Sequence, residues 1–413
     1  MNISSTKWFG WLLLTGIYVL GVLGVVGCGS GDDVVVDCGP GWVWNGTVCS
    51  RRTDGFNSGV SSISPALEGS GDLYAVGAFT HFKNDAVKHV ARVNSDGSLD
   101  RGFVSNTDFM PPNVVVSAND GSGDIYIGGY LIYNGPNLPI RGIARLNHDG
   151  SLDSNFNTGA GIGRMVSTIV PATDGSGDVY VGGSSHRTHP SDPFENGPIR
   201  LNSDGSLDTD FNSGFRAGES SIALATDGSG DIYVSRNSAP YIARLNDDGT
   251  IDTGFDTGPT GFDRSVSDIA VATDGSGDIY VTGFFSAYNT ASARGLVRLN
   301  SDGSIDAAFV ADTTVFRFQG GRFIVPALDG SGDIYVGVTN ALNEGIVRLN
   351  DDGSIDAGFA SGFEGFGRND TLSDAALAAD GSGDIYVAGS LASYKSTPVV
   401  NLVRITAGGD LVK

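Results

Sequence analysis

Paired carboxylates recur along this chain at a spacing that invites three readings: acid–base chemistry, cation binding, or turn formation. Asp-Gly-Ser-Gly-Asp, or a near copy, occurs seven times, each followed by an aliphatic residue and a tyrosine: Tyr74, Tyr126, Tyr180, Tyr233, Tyr280, Tyr335 and Tyr386. The pattern sets oxygen ligands at alternate positions, as a calcium loop begins, so Asp120, Asp124, Asp174, Asp178, Asp274 and Asp278 are Ca²⁺ candidates. It lacks the glycine at position six and the bidentate glutamate at position twelve, so hairpin turns built on Asp are the expected use and no resident cofactor is expected. Catalysis needs an asymmetric site, and a pair copied seven times is not one. The five histidines (His81, His89, His148, His186, His189) form no ligand or catalytic pattern, and no nucleophile elbow or phosphate loop is present. The chain therefore reads as non-catalytic. The alternatives left open are an envelope hydrolase or lyase with its site over a central channel, and a purely structural surface component.

The elements that would position these turns follow from the repeat. Each tyrosine is followed by Arg-(Leu/Val/Ile)-(Asn/Thr), at Arg92, Arg145, Arg200, Arg244, Arg298, Arg348 and Arg404. A period near fifty residues with several short strands per unit predicts a closed ring of small sheets. The expectation is all-β, a seven-bladed β-propeller of four-stranded blades over 50–413, with strands A to D from the axis outward. Small residues at alternate positions of strand A, such as Ala270 and Ala272, suit seven strands crowding an axis. The tyrosines are expected to pack blade on blade. Each arginine is expected to pair with the aspartate of strand D: Asp100, Asp153, Asp208, Asp252, Asp306 or Asp356.

Two intervals separate the ends of the ring. From the arginine to the closing phenylalanine the distance is eleven residues in all six complete units: Phe103, Phe156, Phe211, Phe255, Phe309 and Phe359. From the tyrosine to the arginine it ranges from 11 to 20 residues. The A–B and C–D turns would form one uniform, acidic rim, and the B–C and D–A loops an irregular one. Irregular loops on a rigid scaffold carry recognition. Phe82, Tyr133, Phe285, Tyr288 and Tyr394 are the candidate binding residues there, unless they cap the core beneath their loops. The expected partner is a protein or glycan. A formal charge of −22 argues against nucleic acid, and a monomer is expected.

The combined pattern Gly-Asp-Ile-Tyr-Val-Gly-Gly, Ala-Arg-Leu-Asn and Asp-Gly-Ser-Leu-Asp-x-x-Phe resembles the bacterial delta-sixty repeat β-propellers. The resemblance covers 53–413 and implies the fold and a secreted or surface setting, with no catalytic residues to carry over. The seventh unit departs from it, since Leu411 is followed by no closing phenylalanine. Asp54-Gly-Phe56 resembles an orphan end of strand D, which would place the N-terminal piece beside the last blade to close the ring.

Ahead of the repeats, the apolar run Trp8–Gly27 ends in Val25-Val26-Gly27-Cys28. It resembles a bacterial lipoprotein signal peptide, 1–27, and implies a lipid on Cys28 and a tether over 28–37. The setting it implies is the cell envelope, at the outer membrane or cell surface, with membrane contact through the lipid alone. Cys38 and Cys49 would then form one disulfide around a small loop, 38–49, in an oxidising compartment. Mass spectrometry of the mature protein is expected to find acyl chains on residue 28. An intact 1–27 segment in the membrane form would contradict this.

Overall fold

In the computed structural model the described residues are 42–44, 49–51, 54–105, 110–134, 139–159, 165–184, 197–211, 213, 221–312, 320–339, 344–359 and 365–412. The apolar run before Cys28, the tether, Cys38, and His186 and His189 lie outside them.

The motif's two glycines serve different needs. Gly121 and Gly123 both have φ near +78°, where a side chain is strained. Around Gly121 there is open space, so only its backbone requires glycine. A Cβ on Gly123 would also sit 2.8 Å from Nδ1 of His148, in the next turn of the same unit. Asp120 Oδ1 accepts the Ser122 amide at 3.0 Å, and Ser122 Oγ accepts the Asp124 amide at 3.1 Å. This side-chain bonding reverses the chain between two strands.

Every described element is a strand. Seven sheets of three antiparallel strands follow one another along the chain. In the fifth unit they are Val266–Val271, Ile279–Gly283 and Leu296–Leu299. Each tyrosine lies opposite a small residue of the first strand and opposite the arginine of the third, as in Ala270, Tyr280 and Arg298. The expected fourth strand is reduced to a single bridge per unit, Leu299 to Ile305 in the fifth. The reason lies in the next residue: Asp306 Oδ1 accepts the amide of Ala308 at 2.8 Å and turns the chain out of the sheet. Asp100, Asp252 and Asp356 do the same to Gly102, Gly254 and Gly358.

The first strands touch in cyclic order, and that of the seventh unit (Thr371–Leu377) lies against that of the first (Val60–Pro65). Apolar cores form between units. Tyr280, Leu296 and Phe309 of the fifth cluster with Ile324, Ile334 and Val336 of the sixth. Phe56, Val60 and Phe79 cluster with Ala378, Tyr386 and Ala388, so the seam between first and last units carries a core as well.

The seam is also pinned by polar groups. Each first strand is a sheet edge, so alternate N–H groups point away from the second strand, and the preceding unit satisfies one of them. Asp374 Oδ2 accepts the Ile63 amide at 2.9 Å and the Ser62 hydroxyl at 2.8 Å. Asn401 Nδ2 donates to the Phe56 carbonyl at 2.8 Å. Phe56 is not the end of a strand D. It packs on Phe79 and Phe82 at 4.3 and 4.6 Å, as Phe262 packs on Phe285 and Tyr288 at 4.3 and 4.6 Å. It therefore corresponds to Phe262 and not to a closing phenylalanine.

Removing one member of a buried ionic cluster strands the others, at a cost of about 3–5 kcal/mol. Arg298→Ala is expected to lower unfolding stability by roughly that amount, whereas the exposed Arg101→Ala should cost less than about 1 kcal/mol. Urea unfolding of the two variants checks this.

Candidate functional site

Three regions carry polar chemistry: the uniform end, the outer wall beneath the variable loops, and the innermost strands.

At the uniform end, the arginine binds both turn carboxylates. Arg145 Nε donates to Asp124 Oδ2 at 2.8 Å and Nη2 to Asp120 Oδ2 at 2.6 Å, and Nη1 reaches the Tyr126 hydroxyl at 3.3 Å. Its guanidinium lies 5.5 Å from the Tyr126 ring centre, and Phe156 meets that ring edge-on at 5.3 Å. The expected partner, Asp153, is third at 3.6 Å. Arg298 repeats this with Asp278, Asp274 and Asp306, at 3.0, 2.5 and 3.3 Å. So Asp120, Asp124, Asp274 and Asp278 each give an oxygen to a guanidinium, a cation supplied by the chain itself. The third unit differs: Arg200 bonds Asp208 at 2.5 Å and Asp247 of the fourth unit at 2.6 Å, with Asp178 at 3.9 Å and no hydrogen bond to Asp174. Burial pulls the carboxyls of Asp227 and Asp380 up, but bonds from Ser229 or Ser382 and from Arg244 or Arg404 outweigh it and bring both down to about 2. For Asp329 the Ser331 hydroxyl leads, and burial opposes it, with the same result of about 2.

The variable loops do not all project. In the first, fifth and seventh units they form two-residue hairpins, such as Ala287–Tyr288 with Ala291–Ser292. These fold back along the outer wall as far as the C–D turn, where the Tyr288 hydroxyl donates to the Gly303 carbonyl at 2.7 Å. Tyr394 donates to Gly409 in the same way at 2.6 Å, and Lys83 Nζ substitutes for the hydroxyl that Phe82 lacks, donating to Gly97 at 2.7 Å. Phe82, Phe285, Tyr288 and Tyr394 are consequently buried and cap the core, instead of forming an exposed contact. Tyr133 lies in the strand Ile125–Asn134, and its side chain is outside the described ones.

Among the described residues, the large apolar side chains that face solvent at the loop end of the second and third units include Met110, Tyr130 and Met165, at 50%, 41% and 46% exposure. Their backbones converge. A Cβ on Gly129 would meet Asn113 N at 2.9 Å, and one on Gly128 would meet Val166 Cγ1 at 2.7 Å. Gly129 lets the backbone at Asn113 approach and Gly128 leaves room for the Val166 side chain, and this brings the three segments together. Periodicity overlooked them because they belong to no repeated position.

The first strands of the fifth and seventh units hold Asp268 and Asp374, which sequence reasoning also passed over. The signal was available: each is a charged residue inside an otherwise small and apolar first strand. Asp268 accepts the Ser221 hydroxyl of the fourth unit at 2.8 Å and the Ile324 amide of the sixth at 2.8 Å. Burial pushes both carboxyls up to about 6, against the lowering effect of the amides and hydroxyls they accept; at Asp374 the charge of Asp268 adds to the rise. Their oxygens are engaged by neighbouring units, so they act as pins between units.

The repeats also match a known family. Residues 69–103, 121–156, 175–211, 224–255 and 275–309 match the domain of unknown function (DUF5122) beta-propeller. Each segment ends on the closing phenylalanine, so the family's unit coincides with turn, tyrosine strand, arginine strand and bridge. This chain is a β-propeller repeat protein. Among solved structures, Sqt1 from Chaetomium thermophilum aligns with the propeller at 10% identity and a TM-score of 0.49, covering 87% of this chain and 84% of that one. The Chaetomium thermophilum Sqt1 bound to the N-terminus of ribosomal protein L10 aligns at 11% identity and a TM-score of 0.46, covering 87% and 88%. No curated protein matches the chain.

A carboxyl raised in the folded state binds its proton more tightly there. Its contribution is complete below the unfolded value near 4 and is lost as pH rises through about 6. The propeller should thus gain on the order of 1 kcal/mol per group between pH 7 and pH 5. The carboxyls lowered to about 2 act in the opposite sense, and only below about pH 4. Melting curves of the Asp268→Asn/Asp374→Asn variant should lack the pH 7-to-5 gain; an unchanged pH profile would contradict the assignment.

Proposed function

We propose that this protein is a lipid-anchored, non-catalytic propeller of the bacterial envelope that binds a protein partner through the loop end of its second and third units. The β-propeller fold itself suggests a protein-binding or structural role. The observation that carries the reading is the contrast between the two ends. Most turn carboxylates of the uniform end are engaged by the chain's own arginines, whereas Met110, Tyr130 and Met165 stand exposed on converging segments. Exposed apolar side chains on neighbouring segments favour an interaction site, and thioether and phenol groups are types enriched at protein interfaces.

The cyclic contacts of the first strands and the seam between Asp374 and Ile63 support a closed ring of seven blades, each three strands and a bridge. The apolar run ending at Cys28 supports the lipid anchor, with the outer membrane or cell surface as the setting. No resident metal or cofactor is proposed.

Affinity capture from intact cells tests the reading. The full chain should retain a defined protein that Met110→Ser/Tyr130→Ser/Met165→Ser loses, with the melting temperature nearly unchanged. Capture that survives this variant but fails when Asp96, Asp149, Asp204 and Asp302 are neutralised would assign binding to the uniform end.

A further inference from the structure

The loop end of the second and third units differs from the rest of the propeller in its sulfur. The chain has three methionines, and apart from Met1 they are Met110 and Met165. Methionine is flexible and fills irregular gaps in many cores. Among the described residues the core of this propeller contains none, being built from valine, isoleucine, leucine, alanine and aromatic side chains. Both thioethers stand in solvent instead, on the segments that converge with that of the exposed Tyr130.

Local structure holds these side chains outward. Met165 opens the first strand of the third unit, Met165–Pro171, where alternate residues face opposite ways. Val166 is buried in the core between the second and third units, so Met165 and Ser167 face solvent. Met110 precedes Pro111 and Pro112, which biases its backbone toward extended conformations, and Pro112 is buried. Tyr130 lies between Gly129 and the buried Leu131.

We propose that Met110 and Met165 form a reversible oxidation site that controls the partner surface. The oxidant is a peroxide, and the restoring activity is a dithiol-dependent methionine sulfoxide reductase. The inference rests on the binding role proposed above. In the forward step a thioether lone pair attacks one peroxide oxygen, and the S–O bond forms as the O–O bond breaks. The other oxygen leaves as hydroxide and takes the proton of the transferred hydroxyl to become water. Sulfur loses two electrons and the peroxide gains them. In the reverse step the dithiol supplies two electrons and two protons, the sulfoxide oxygen leaves as water, and the dithiol becomes a disulfide. A sulfoxide is polar where the thioether was apolar. Covering its oxygen with an apolar partner surface leaves an acceptor unpaired, which opposes binding. The core has no methionine among its described residues, so the ring itself is spared.

Treating the full chain with millimolar hydrogen peroxide and mapping its peptides by mass spectrometry tests the site. Both methionines should gain one oxygen in the folded protein at nearly the rates of the urea-unfolded chain, with the melting temperature nearly unchanged. Capture of the protein that the untreated chain retains from intact cells should fall about tenfold or more. Reductases for both sulfoxide epimers with dithiothreitol should restore mass and capture together, and dithiothreitol alone should restore neither. Met110→Leu/Met165→Leu, measured against its own untreated level, should lose nothing on peroxide treatment. Oxidation several-fold slower in the folded than in the unfolded chain, or sulfoxides that the reductases leave in place, would overturn the proposal whether or not a partner is found. Capture that survives full oxidation would overturn it while leaving the binding surface standing. Absence of capture before any treatment would contradict the binding reading itself, and the control proposed here would fall with it.

Discussion

A buried guanidinium must have its charge matched, and in this protein that requirement organises every unit. In six of the seven units the arginine of the third strand lies under the tyrosine of the second and reaches the carboxylates of the first turn, and in the third unit Arg200 pairs with Asp208 and Asp247. One side chain thereby fixes three strands and a turn relative to one another. Its partners also join units: the Tyr74 hydroxyl donates to Gly123 of the second unit at 3.2 Å, and that of Tyr280 to Gly332 of the sixth at 3.3 Å. The acidity of the sequence is in large part the complement of these arginines. Because desolvating a charge is expensive unless it is paired and hydrogen-bonded, no member of the cluster can be replaced alone without loss.

Sevenfold repetition solves every interface but one. Six joints are continuous in the chain, and the seventh must be made between residues more than 300 apart in sequence. The chain makes it with groups that the repeat does not contain. Asp374 answers the edge amide of Ile63, and Asn401 holds the Phe56 carbonyl. Asp268 plays the matching part between the fourth, fifth and sixth units. The cost of placing these carboxylates near the axis is visible in their raised affinity for protons.

What could be read from the sequence was whatever recurs. The turn glycines, the tyrosine opposite the arginine, and the small residues of the first strand are set by local sterics and strand alternation, and all are in place. The fourth strand failed because a single Asx turn, Asp306 onto Ala308, removes the chain from the sheet after one bridge, and alternation cannot register that. The aromatics of the long loops were misplaced because loop length says nothing of direction. Phe262 and its counterparts draw those hairpins down onto the wall. Met110, Tyr130 and Met165 were invisible because convergence of separate segments is a tertiary fact. Asp268 and Asp374 were legible in principle, as lone charges in apolar strands, but repetition drew attention elsewhere.

The division of labour between a turn end whose carboxylates are largely held by the chain's own arginines and a variable loop end is the central claim, and hydrogen exchange tests it most directly. The amides of Ala118, Asp124, Ala272 and Asp278 sit in the turn networks and should exchange as slowly as the central strands, opening only with the whole propeller. Their rates should be the same in chelator and in millimolar Ca²⁺. Fast exchange at these amides, or a marked slowing when Ca²⁺ is added, would show that the acidic end is built to receive a ligand and would contradict the account.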